Sequence, residues 1–291
     1  MRSTNVVQAQ FEQICEEQYL PMSDGTQLKI LTSKLQQTIL ENSYSTQYTL
    51  MLIPGWGTIV PSWDDFLMEA AQRFNIVYLE TREKDSSILG KHTHSNMDRN
   101  AQDIQEVIEF LNVSQKQLIL VGSCFGANSI AYGLMRNRFS PLMNVFIGPQ
   151  LRFPLPWYGR FLIPIAPYWM FYFFRPILRF WLRYFQTTDK KQAQKYIRII
   201  NEADPKKWKK VGKAVYFEEF SSIFPQINQF IYVIGEGNDK MHKASDSLRI
   251  AQMLPKSEFV MMESNAETHS AMMAKTIAGL ISQLQITEKR Q

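Results

Sequence analysis

The chain has 291 residues, 45% of them hydrophobic, and carries a net charge of +5. That apolar content supports a buried core and excludes a disordered or fibrous polymer. With only two cysteines, Cys15 and Cys124, a disulfide framework is excluded and a reducing, cytoplasmic setting is expected. The opening MRSTNVVQAQFEQICEE has no apolar segment of the signal-peptide type, and no charge-free, proline-free apolar stretch is long enough to span a bilayer.

In chain order, QYLPMSDGTQLKILTSK (18–34) predicts two strands joined at an Asp-Gly turn. QYTLMLIP (47–54) predicts a buried strand ending in Pro-Gly-Trp-Gly. NIVYLE (75–80) and QLILVG (117–122) predict two more. Helices are expected over 63–73 and 97–111; in the second, Ile104, Val107, Ile108 and Leu111 recur at helical spacing. Further strands are expected at MNVFIG (143–148), QFIYVIG (229–235) and SEFVMM (257–262), with a closing helix over 271–284. Strands alternating with helices, each strand apolar throughout, predict a mostly parallel sheet covered on both faces. The alternation breaks between about 150 and 222.

The chemistry concentrates at VGSCFGANS (121–129). A strand runs into Gly-x-x-x-Gly and then a helix, with Cys124 in the middle. A nucleophile elbow needs this sharp turn: Gly122 and Gly126 let strand and helix approach, and the middle side chain is presented at the helix N-terminus. Backbone N–H groups there favour a thiolate. Ser123, one residue off the tip, is turned away. Of the four histidines, His269 in ESNAETHSAMM follows the last strand and is the expected base. His92 and His94 lie in a polar stretch and read as surface loop, with no third residue arranged to bind a metal beside them. An orienting carboxylate is available after the strand at 229–235, with Asp239 preferred and Glu236 second. Oxyanion donors are expected from the backbone N–H of Phe125 and of Trp56, in the tight IPGWGT loop.

These pieces, in the order DGTQL, LIPGWG, GSCFG, GEGND and ETHS, resemble the α/β-hydrolase superfamily over roughly residues 18–150 and 222–291. LETREKDSS (79–87) stands where relatives often read Gly-x-Gly-x-Ser, with Ser86 or Ser87 as the matching serine. The resemblance implies a nucleophile–acid–histidine triad, no cofactor or metal, and a lid inserted after the sixth strand. Two positions depart from the common pattern. Pro54 stands where many members carry histidine, and Cys124 where most carry serine. Cysteine there is similar to dienelactone hydrolases and some thioesterases and cyclases, in nucleophile type only.

The expected lid, residues 151–221, has a composition of its own. Fourteen aromatics fall between Phe153 and Phe185, and residues 151–213 carry a net +11 against −6 for the rest of the chain. Arg175, Arg179 and Arg183 recur four apart, and DPKKWKKVGK (204–213) adds a basic cluster. Three readings stand: aromatics such as Trp157, Tyr158 and Trp169 line an apolar acyl pocket; the segment lies on an anionic membrane; or it is a cap with solvated cations. No nucleic-acid-binding module is recognisable. The expectation is therefore an enzyme that cleaves an apolar acyl ester or thioester, or transfers the acyl group. Its rival is a non-catalytic, membrane-associated protein of the same fold.

Overall fold

The computed structural model describes residues 8–33, 48–153, 165–181, 190–216, 218–237 and 244–288. Eight strands form one sheet in the order β1-β2-β4-β3-β5-β6-β7-β8. They are β1 (Glu16–Pro21), β2 (Gln27–Ser33), β3 (Thr49–Ile53), β4 (Asn75–Leu79), β5 (Leu118–Ser123), β6 (Met143–Ile147), β7 (Ile231–Glu236) and β8 (Ser257–Met262). The edge hairpin β1–β2 is antiparallel, β2 pairs antiparallel with β4, and all pairings from β4 to β8 are parallel. The hairpin turns where expected, with Gly25 at φ +78°, a conformation that glycine adopts without strain.

The uninterrupted apolar strands are explained by two cores, one on each face of the sheet. Along β5, Leu118 and Leu120 enter one core while Ile119 and Val121 enter the other; along β3, Met51 and Ile53 oppose Leu50 and Leu52. Period-two alternation within an all-apolar strand fills both sides. The first core is covered by α3 (Met97–Phe110) and α4 (Phe125–Met135), the second by α1 (Gln10–Ile14), α2 (Asp64–Ala70) and the long C-terminal helix (Ala271–Glu288). Asn96 starts α3, its side chain accepting the Arg99 N–H at 2.9 Å.

Between β6 and β7 the chain inserts α5 (Trp169–Trp181), α6 (Lys190–Glu202) and α7 (Pro205–Val215). Asp204 caps α7 by accepting the Lys206 and Lys207 N–H groups at 2.8 and 3.1 Å, and Pro205 fills the first helical position, where no N–H is needed. The remaining helices are α8 (Ala244–Met253), the short α9 (Asn265–Thr268) and α10, the C-terminal helix already given. Among the described residues, no helix is long and apolar enough to cross a membrane.

The cations of the insertion are not simply solvated. Lys207 Nζ donates to the carbonyls of Lys84, Asp85 and Ser87 at 3.0, 2.7 and 2.6 Å. Lys209 Nζ reaches the Ala166 carbonyl at 2.7 Å, Lys210 Nζ the Thr93 hydroxyl at 2.6 Å, and Lys206 lies over the Tyr168 ring. Arg175 donates to the carbonyls of Ile200, Asn201 and Ala203. Lys207 and Lys209 thus tie to backbone carbonyls, Lys210 to a hydroxyl and Lys206 to a ring, because a long cationic stem carries its charge to distant acceptors.

Candidate active site

The carboxyl ends of the parallel strands carry the candidate residues, the usual place for a site in an open α/β sheet. At the end of β5, Cys124 adopts φ +48°, ψ −110°, a sterically disfavoured conformation for a residue with a Cβ. Its N–H is pinned by donation to the Ile147 carbonyl at 2.8 Å, and α4 begins at the next residue. The flanking glycines are required by contact. A Cβ at Gly126 would lie 2.0 Å from the Ile53 carbonyl oxygen, and one at Gly122 would lie 2.6 Å from Ala127 Cα. Strand and helix therefore meet as closely as the elbow demands, and the strained residue is held by structure on both sides. The Cys124 side chain is half-buried, at the positive end of α4.

The loop after β3 lies against this turn. A Cβ added at Gly55 would be 3.5 Å from Cys124 Cβ. Residues 55–58 form a tight turn closed by the Thr58 N–H on the Gly55 carbonyl at 3.2 Å, with Gly57 at φ +63°. Trp56 packs edge-on against Phe125, ring centroids 5.4 Å apart, and also meets Trp208 and Tyr216 from the insertion. Trp208 fills the space beside Gly57, where a Cβ would come within 2.8 Å of its ring. The insertion is fastened at its root as well. Asn128, on the first turn of α4, donates to the Gln150 carbonyl at 2.7 Å and accepts the Gln150 N–H at 3.0 Å.

His269 follows α9, beyond β8. Its Nδ1 lies 2.9 Å from the Asn265 carbonyl oxygen and 3.1 Å from the Thr268 hydroxyl. A carbonyl only accepts, so this bond places the proton on Nδ1 and leaves Nε2 as the basic nitrogen. The ring stacks on Trp63 at a centroid distance of 3.9 Å. Glu236, buried at the end of β7, accepts from Thr268 Oγ1 at 2.6 Å and from Asn265 Nδ2 at 2.9 Å. The same two residues thus hold both His269 and Glu236.

Cys124, Phe125 and Trp56 are brought together, and His269 sits with the runner-up acid Glu236. The preferred acid Asp239 lies outside the described residues, as do Trp157 and Tyr158. Trp169 is 59% exposed, on the surface of α5. Ser87 donates to the Thr81 carbonyl at 2.8 Å and Ser86 to Glu80, so both serines of that loop serve its internal structure. His92 and His94 are exposed, and among the described residues no cluster suits a metal ion. A cavity of about 300 Å³ lined by Glu12, Cys15, Lys29 and Arg198 lies at the hairpin edge of the sheet and shares no residue with the elbow. Sequence reasoning missed Trp63, Thr268, Trp208 and Lys84. Thr268, Lys84 and Trp208 stand inside the recognised segments ETHS, LETREKDSS and DPKKWKKVGK, but nothing in those segments marks their partners.

The chain has the α/β-hydrolase fold. Among solved structures it is similar to the enol-lactonase of Burkholderia xenovorans LB400, at 14% identity, TM-score 0.70, covering 91% of this chain and 100% of that one. The esterase EaEST of Exiguobacterium antarcticum matches at 14% identity and TM-score 0.70, covering 93% and 100%. A membrane phospholipase A described as a bacterial virulence factor matches at 14% identity and TM-score 0.67, covering 94% and 87%. No protein-family model and no curated protein matches the chain.

Proposed function

We propose that this protein hydrolyses an apolar acyl ester or thioester through an acyl-enzyme on Cys124. The observation that carries the reading is the strained Cys124 at the start of α4, with the Gly55–Thr58 turn beside it. In the first step His269 Nε2 takes the Cys124 proton and the sulfur forms a bond to the substrate carbonyl carbon. The carbonyl π electrons move to oxygen, where the N–H groups of Phe125 and Trp56 stabilise the charge. Collapse of the tetrahedral intermediate breaks the bond to the alcohol or thiol, which leaves with the proton from His269. Water then repeats the sequence, and breaking the C–S bond releases the acid. An acceptor alcohol or amine in place of water would make the same intermediate a transferase.

The orienting carboxylate is Asp239, with Glu236 as the alternative that acts through Thr268. A thiolate expels a thiol with little penalty, which favours a thioester slightly over an ester. Neighbours named as an esterase, an enol-lactonase and a phospholipase A agree with an ester-cleaving reaction.

The insertion supports an apolar substrate met at an anionic bilayer surface. Trp169, Tyr172, Phe173, Phe174, Ile177 and Phe180 of α5 are all exposed, on a segment of net positive charge. Aromatic rings beside Lys and Arg suit the headgroup region. Cosedimentation with phosphatidylglycerol vesicles at low salt is expected, and absence of binding there would end this part.

Selective alkylation tests the nucleophile. Burial pushes the Cys15 thiol up to about 11, so at pH 7 it is almost wholly protonated. Iodoacetamide should label Cys124 much faster and abolish ester turnover in step. Equal, slow labelling of both thiols would contradict the reading.

A further inference from the structure

Lys84 is a buried cation beside the proposed oxyanion turn, and the chemistry above gives it no role. Only 7% exposed, it sends Nζ to two carbonyl oxygens, Gly55 at 3.0 Å and Thr58 at 2.7 Å. These are the first and last residues of the tight turn that contains Trp56. Its charge is balanced by Glu83 Oε1 at 3.1 Å, and that oxygen also accepts the Thr81 hydroxyl at 2.8 Å. The backbone of Lys84 is itself anchored. Its N–H donates to the Thr81 carbonyl at 3.0 Å, and its carbonyl accepts from Lys207 of α7. The ammonium therefore reaches the turn from a stiff support.

The direction of the pull decides its consequence. The Gly55–Trp56 peptide is trans, as are all peptides described. In a trans peptide the carbonyl and the N–H point to opposite sides of the chain. With the Gly55 oxygen drawn to Lys84, the Trp56 N–H is turned to the other side, and Gly55 lies against Cys124. The turn's own closing bond, Thr58 N–H to Gly55 oxygen, is long at 3.2 Å, so Lys84 supplies the shorter and charge-assisted tie. A hydrogen-bond donor stabilises a developing oxyanion only when its direction is fixed before charge develops.

We propose that Lys84 is a positioning residue that fixes the Trp56 N–H as an oxyanion donor. This rests on the acyl-enzyme reading of Cys124. The test compares three reactions of wild type and Lys84→Met, which keeps the stem and loses the donors: hydrolysis of a p-nitrophenyl ester, inhibition by an apolar trifluoromethyl ketone, and alkylation by iodoacetamide. The first two pass through or form a tetrahedral oxyanion. Alkylation does not. The expected result is a fall in kcat on the order of 100-fold with little change in KM, a matching loss of ketone affinity, and an alkylation rate at Cys124 within about threefold of wild type. Because Lys84→Met strands the buried Glu83 carboxylate, the double variant Glu83→Gln/Lys84→Met is measured beside it and is expected to give the same pattern. Turnover unchanged, or turnover and alkylation falling together, overturns the proposal, as does loss of folding in both variants. If Cys124→Ala keeps its activity, the underlying acyl-enzyme reading fails instead, and the two failures are told apart.

Discussion

The sheet and the insertion place charged and apolar side chains differently. Beside the sheet, Arg82 is fully buried and makes a two-point ion pair with Asp103, at 2.5 and 2.8 Å, and a second pair with Asp24 at 2.6 Å. Arg99 joins by bonding Asp103 and Glu106. Apolar side chains there fill two closed cores. In the insertion, Lys207, Lys209 and Arg175 donate to backbone carbonyls while Arg198 pairs with Glu12 and Glu202, and large aromatics of α5 face outwards. The sheet can hold a strained residue such as Cys124 because its N–H is bonded to the Ile147 carbonyl and the glycines on either side pack tightly against Ile53 and Ala127. The insertion meets the core through Val211 and Val215 of α7, which are buried in the first core, and through ties such as Lys207, Trp208 and the Arg198–Glu12 pair, while α5 presents an aromatic face outwards.

The difference can be broken experimentally. The largest effect is expected from Arg82→Met, which leaves Asp103 buried with less of its compensation. By the general cost of halving a buried ion pair, unfolding in urea should show a loss of about 3–5 kcal/mol. A loss under about 1 kcal/mol would show that the network is not structural. Lys207→Met comes next. It removes three Nζ–H bonds, although the Lys84 carbonyl keeps the Ser87 N–H, and should cost about 1–3 kcal/mol, with a thermal melt followed by Trp208 fluorescence reporting looser packing. A melt unchanged from wild type would remove the principal tie assigned to α7.

A smaller effect is expected in acid. Burial works to raise the Asp24 carboxyl, but hydrogen bonding and charge from Arg82 outweigh it and hold it down to about 2. A carboxyl lowered on folding stabilises the protein fully above its unfolded pKa of about 4, and this contribution is lost as pH falls towards 2. The difference in Tm between wild type and Asp24→Asn should therefore shrink over that interval; a constant difference would contradict the assignment. Least disturbed should be Phe173→Ser on α5, where the side chain is 68% exposed. Its stability should lie within about 0.5 kcal/mol of wild type while vesicle binding weakens. A large loss of stability would mean that this face is packed.

Much of the architecture was legible because its signals are local. Each strand of the parallel sheet is a short apolar run, and the elbow announces itself by glycines at Gly122 and Gly126. What stayed hidden depends on distant partners. Arg82, Lys84 and Glu83 sit in a polar stretch that reads as loop, and their burial is made possible by Asp24, Asp103 and the turn at Gly55, none of them nearby in sequence. The partners of the lysines in DPKKWKKVGK were hidden for the same reason: neither the carbonyls met by Lys207 and Lys209 nor the Thr93 hydroxyl met by Lys210 leaves a mark in composition. His269 and Cys124 were legible as types and order. The contact of His269 with Trp63, and its shared partners with Glu236, are products of the tertiary fold.

The central claim is that Cys124 carries the acyl group. Wild type, Cys124→Ser and Cys124→Ala should be assayed on p-nitrophenyl and CoA esters of increasing chain length, with intact-protein mass recorded during turnover. The account predicts an acyl adduct on wild type, lower turnover in the serine variant, and loss of at least about 1,000-fold in the alanine variant. Full activity of Cys124→Ala would contradict it.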